Sequence, residues 1–92
     1  MASIEIKKAY TMSKTEITEG LEALAKKLQK KQGIQYQWEN DEKIAFKHKA
    51  AKGSIVIKET EIVLQLKLGI LYAAMAPMFK KQIQSYADQY IH

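Results

Sequence analysis

From Ile34 to Leu68 apolar and polar residues alternate in four short runs, and a period of two places every apolar side chain of a run on one face of an extended strand. The runs are Ile34, Tyr36, Trp38; then Ile44, Phe46, His48; then Ile55, Ile57; then Ile62, Leu64, Leu66, Leu68. Between them lie Glu39-Asn40-Asp41-Glu42, Ala50-Ala51-Lys52-Gly53 and Glu59-Thr60, links of the length that joins antiparallel neighbours and far too short for a parallel crossover. A meander of four strands follows. Its second face, with Gln35, Gln37, Lys47, Gln65 and Lys67, is mostly polar, so the sheet is expected to bury one side only.

The flanking segments supply what that buried side needs. Ile4 and Ile6 alternate with Ser3, Glu5 and Lys7, a fifth strand. Ser13 with Glu16 three residues on forms a capping box, and Met12 with Ile17 a hydrophobic staple, so a helix starts there. Ile17, Leu21, Leu24 and Leu28, widened by Ala25, make one apolar stripe. Lys26, Lys27, Lys30 and Lys31 crowd the last turns, and Gly33 is placed to end the helix in the left-handed region. Gly20 is the one dissenting residue inside it, costing about 1 kcal/mol relative to Ala.

After Gly69 the period changes again, with Met75, Phe79, Ile83, Tyr86 and Tyr90 at helical spacing. Pro77 is comfortable only in a first turn, so a regular helix is expected from about Pro77 to Ile91, preceded by a turn or short kinked lead-in.

The order is therefore β-α-β-β-β-β-α, an α+β fold. It predicts a single antiparallel five-stranded sheet with two helices packed on one face, helix-grip-like, with strand order 2-3-4-5-1 if the first strand pairs with the last. Residues 1–92 are expected to form a single domain, because a chain of this length cannot build two cores.

Composition narrows the function classes. There is no cysteine, which removes disulfide staples and thiolate metal sites. The first ten residues, MASIEIKKAY, carry three charges where an export signal needs an unbroken apolar run, so a cytoplasmic location is expected. The net charge of +5 comes from lysine alone, since the chain has no arginine. Lysine is a point charge without the bidentate fork that reads guanine edges, so specific nucleic-acid recognition is disfavoured. Trp38 and Tyr36 fall on the predicted core side, which leaves the open face without a platform for stacking bases. Diffuse attraction to anionic surfaces is retained.

No spacing of His, Asp or Glu forms a metal site, and no activated nucleophile can be assembled, so no cofactor and no enzymatic activity are expected. His48 shares a face with Ile44 and Phe46 and is expected at the core or its rim, satisfied by a carbonyl or by water. His92, the last residue of the sequence, is expected to fray.

The remaining anomaly is residues 68–79, LGILYAAMAPMF, uncharged in a chain that is 27% charged. It is too short to cross a bilayer, which takes roughly 20 apolar residues. Full burial of Leu71, Tyr72, Met75, Met78 and Phe79 would contribute on the order of 7 to 15 kcal/mol, comparable to a domain's net stability, so these residues are expected to find cover. They close the open end of the core, form a homodimer contact, or dock on an apolar partner. Met75 and Met78 suit either a core gap or an adaptable surface.

Tyr36-Gln37-Trp38-Glu39-Asn40-Asp41, followed by Ile44-Ala45-Phe46, Gly53-Ser54-Ile55 and Leu66-Lys67-Leu68-Gly69-Ile70-Leu71, resembles the polyhydroxyalkanoic acid system proteins, also called the polyhydroxyalkanoate granule region family. The resemblance covers nearly the whole chain. This sequence departs from the family pattern in having Asn40 before the Asp of the Trp turn, where Gly is usual, and Lys at positions that are often Arg. What the resemblance implies is association with polyhydroxyalkanoate storage granules. It brings no catalytic residue. The expected partner is thus a granule surface or granule protein, with Leu71, Tyr72, Met75, Met78 and Phe79 as contact candidates. The alternative is a small-molecule carrier or enzyme that holds a lipid-like acid in a sheet-helix cavity of about 300 Å³ or more.

Overall fold

The computed structural model describes residues 2–49 and 51–92, and within them every side chain except those of Ala2 and Leu71. The elements run β1 (Ala2–Ala9), α1 (Lys14–Gln32), β2 (Gln35–Asn40), β3 (Lys43–His48), β4 (Ala51–Ile57), β5 (Glu61–Leu68), a 3-10 helix (Ile70–Met75) and α2 (Ala76–Tyr90). The sheet is antiparallel throughout, in the order β1-β5-β4-β3-β2. This is the expected α+β arrangement.

Register turns the alternation of the sequence into one buried face. Ile4 lies opposite Leu66, Leu66 opposite Gly53, Gly53 opposite Phe46 and Phe46 opposite Tyr36. The next row on the same face is Ile6, Leu64, Ile55, Ile44 and Trp38. These rows and the stripes of both helices meet in one core, in which Leu21, Leu24, Ile44, Ile55 and Ile91 are wholly inaccessible. No polar or charged residue among those described is buried.

The start of α1 is set locally. The Ser13 hydroxyl accepts from the Glu16 amide at 3.2 Å, and the Glu16 carboxylate accepts from the Ser13 amide at 3.0 Å. Hydrogen bonding to the charged carboxylate, first from the Ser13 amide and then from the Ser13 hydroxyl, holds the Glu16 carboxyl below its ordinary pKa. The end of α1 is Gly33 at φ 70°, whose N–H donates to the Gln29 carbonyl. Tertiary contacts then fix α1 over the sheet. Both oxygens of Glu22 are engaged: one accepts from the Tyr36 hydroxyl at 3.0 Å, the other from Trp38 Nε1 at 3.2 Å. Partial burial, then the hydrogen bond to Glu22, then that residue's charge, push the Tyr36 phenol above its ordinary pKa.

Two expectations need correction. Ala51, Lys52 and Gly53 were expected in a link but belong to β4, extending it to the register of Leu66 to Leu68. Gly53 is tight against β5, because a Cβ there would stand 2.1 Å from the Gln65 carbonyl oxygen. Glycine reads as a turn residue from sequence, but here it permits the close approach of two central strands. His92 does not fray. Its carbonyl accepts from the Thr11 amide at 3.0 Å and its amide donates to Met12 Sδ at 3.4 Å, so the end of the sequence is tied to the connection between β1 and α1. Burial of Ile91 holds it there.

Candidate functional site

The site forms where β5 runs out of the sheet. Gly69 leaves the strand in extended conformation and the chain turns into the 3-10 helix, closed by the Tyr72 amide donating to the Gly69 carbonyl at 3.0 Å. Pro77 occupies the first turn of α2, where its missing N–H has no partner to lose. Continued backwards as an α-helix, the chain would bring the proline ring against the Ala73 carbonyl. The tighter helix ending at Met75 avoids that clash and swings the segment across the end of the sheet.

This geometry divides the candidate residues. Phe79 is half-buried and packs on the core beside Ala76 and buried Ile83. Tyr72, Met75 and Met78 remain 37%, 38% and 47% exposed. The side chain of Leu71 lies outside the described residues. Ile70, which did not stand out among its apolar neighbours in sequence, is the most exposed large apolar residue described, at 81%. The segment therefore closes the core with one edge and leaves the other uncovered. The signal for Ile70 was present but indirect: it follows a glycine at a strand end, outside both the strand period and the helical stripe.

Behind this edge is a cavity of about 190 Å³, lined by Ile34, Ala51, Leu66, Leu68, Phe79 and Ile83, with Gln32, His48 and Tyr72 supplying polar atoms. Gln32 donates to Gln82 at 2.8 Å, joining the end of α1 to α2 beside it. His48 is half-buried on the cavity wall, the rim position its alternation predicted. The volume exceeds the roughly 150 Å³ that admits benzene in an apolar core but falls below the roughly 300 to 1,000 Å³ of ordinary small-molecule sites. Phe46, Tyr36 and Trp38 fill the space further along the same face.

Chemically the site offers apolar contact. Among the described residues no group of three or more His, Cys, Asp or Glu side chains is placed to hold a metal ion, and no described helix is long and apolar enough to cross a membrane.

Fold and site together define a class: a small, open-faced antiparallel sheet shielded on one side by two helices, with an exposed apolar edge at one end. The chain belongs to the polyhydroxyalkanoic acid system protein family, whose model matches residues 4–91. No curated protein and no solved structure matches it.

Proposed function

We propose that the protein is a non-enzymatic, cytoplasmic accessory protein of polyhydroxyalkanoate storage granules and that it works by laying its exposed apolar edge on the granule surface. The observation that carries this is the uncovered edge, Ile70 with Tyr72, Met75 and Met78, in a member of a family named for the polyhydroxyalkanoic acid system. The four side chains leave about two side chains' worth of apolar surface wet, so covering it contributes about 3 to 6 kcal/mol. That suits reversible attachment to an extended surface. A homodimer through the edge alone has less support: the patch is on the order of 400 Å², against about 800 Å² per partner in a stable interface.

The carrier alternative keeps one favourable observation, the apolar cavity behind Tyr72 and Phe79. Its volume accommodates part of an acyl chain rather than a whole lipid-like acid.

Co-sedimentation with purified granules tests the proposal, comparing wild type with an Ile70→Asp, Met78→Asp double variant. Both positions are exposed, so the variant is expected to fold as wild type, checked by circular dichroism, and to lose most of its granule binding. Equal binding by the folded variant would remove the edge from the account.

A further inference from the structure

An apolar contact of this size is comparable to a single acyl anchor, which attaches a protein only marginally unless a second signal, such as a basic patch, is added. The open face of the sheet holds such a patch. The register sets Lys47 opposite Lys52 and Lys52 opposite Lys67, so three lysines stand in one line across β3, β4 and β5. All three are exposed. At about 4.8 Å per strand the row spans roughly 10 Å. Like charges directly opposite one another destabilise a sheet, and here two such pairs share their middle member.

Among the described residues, no carboxylate pairs with the row. It is flanked by neutral residues, Ser3 on β1 and Gln35 on β2. The neighbouring row on the same face carries one acid, Glu5, which accepts from Gln65 at 2.9 Å and lies 4.0 Å from Lys7. An anionic layer laid across the row would replace this repulsion with attraction.

The position of the row selects the anion. It lies at the end of the sheet where β5 runs into the 3-10 helix, with Lys67 three residues before exposed Ile70. Uncompensated charge and uncovered apolar surface therefore share one end of the molecule. A nucleic acid would meet the charge but leave Ile70 and Met78 wet, and the aromatic residues of the sheet, Tyr36, Trp38 and Phe46, all lie on its covered face. A phospholipid surface meets both: phosphates for the ammonium groups, and the headgroup-acyl boundary for the apolar side chains. We propose that the lysine row and the adjoining edge form one docking surface for an anionic phospholipid interface. This rests on the edge being a contact surface, as above, and adds its charged half.

Flotation with vesicles of equal parts phosphatidylglycerol and phosphatidylcholine, against vesicles of phosphatidylcholine alone, tests it. Wild type is expected to bind the anionic vesicles and to release as salt rises. The triple variant Lys47→Gln, Lys52→Gln, Lys67→Gln is expected to fold at least as stably and to bind about a hundredfold more weakly, roughly fivefold per lysine. A control of equal charge at other sites, Lys14→Gln, Lys26→Gln, Lys58→Gln, is expected to lose less than tenfold. Equal losses in the two triples would make net charge the cause and overturn the assignment. So would wild type that ignores anionic vesicles at low salt, or that binds an RNA homopolymer in their place. Lipid-free polyester beads separate this inference from the granule proposal. Binding to beads but not to anionic vesicles sinks the lysine row and leaves the granule reading standing, and the reverse result sinks the granule reading alone.

Discussion

Replacing Gly20 by alanine sets two effects of known sign against each other. Within an isolated helix the change stabilises by about 1 kcal/mol, because alanine loses less chain entropy than glycine. In the folded protein Gly20 lies where the end of α2 crosses α1: an added Cβ would stand 2.6 Å from the Tyr90 carbonyl oxygen and 3.1 Å from Ile91 Cδ1. The nearer atom is backbone, so rotating a side chain cannot relieve the contact. Either the helices separate by about half an ångström, an overpacking cost of roughly 1 to 3 kcal/mol, or the end of α2 lifts and exposes Ile91, which is fully buried, at roughly 1.5 to 3 kcal/mol. Each route outweighs the propensity gain at most of its range. The expected net result is destabilisation by up to about 2 kcal/mol, read as a melting temperature lower by roughly 4 to 8 °C for each kcal/mol. Urea unfolding followed by far-ultraviolet circular dichroism measures it directly. In an Ile91→Ala background the end of α2 is already loosened, so the added cost of Gly20→Ala should shrink, a non-additivity expected only of residues in contact. Gly20→Ala more stable than wild type by about 1 kcal/mol, the full propensity gain, would refute the close crossing.

Removing the Glu22 carboxylate by Glu22→Ala leaves two half-buried donors, Tyr36 Oη and Trp38 Nε1, without their acceptor. Stability should fall by about 1 to 3 kcal/mol, with the emission of the single tryptophan shifting as β2 loosens. Because the Tyr36 phenol is raised in the folded state, the stability it contributes is fully present below the ordinary tyrosine pKa and lost as pH rises through the folded value. Tyr36→Phe should therefore flatten the alkaline limb of a stability-pH curve and leave the acid limb alone. Glu16 has the opposite sign: its lowered pKa contributes stability above the ordinary carboxylate value that is lost as pH falls through the folded one. Ser13→Ala keeps the amide that donates to the carboxylate and removes only the hydroxyl's smaller share, so it should reduce that acid-limb slope in part and cost about 1 kcal/mol near neutral pH.

The two ends of α1 show which structure is carried by neighbours in sequence. Ser13 and Glu16 are three residues apart, and Gly33 answers Gln29 across one turn, so both boundaries are local hydrogen-bond problems that the sequence solves unaided. The same holds for the stripe Ile17, Leu21, Leu24, Ala25 and Leu28, all buried as their spacing requires. It holds for the four alternating runs and for Pro77 in a first turn. The order of β2 to β5 follows from short links that allow only antiparallel neighbours, whereas the pairing of β1 with β5 joins segments some 60 residues apart.

What the sequence left open depends on residues far apart in the chain. Lys52 reads as part of a polar link until the pairing of β4 with β3 and β5 places it between Lys47 and Lys67. Only that register turns scattered lysines into a row. Gly20 reads as a weak point in a helix until α2 crosses over it some 70 residues later, and His92 as a loose end until Thr11 and Met12 take hold of it. Whether residues 70–79 are covered is a question of how far the two helices reach past the end of the sheet. Periodicity reports which side chains share a face, but whether a face meets another is decided when distant segments pack, and that is how Phe79 comes to lie on the core while Ile70 faces water.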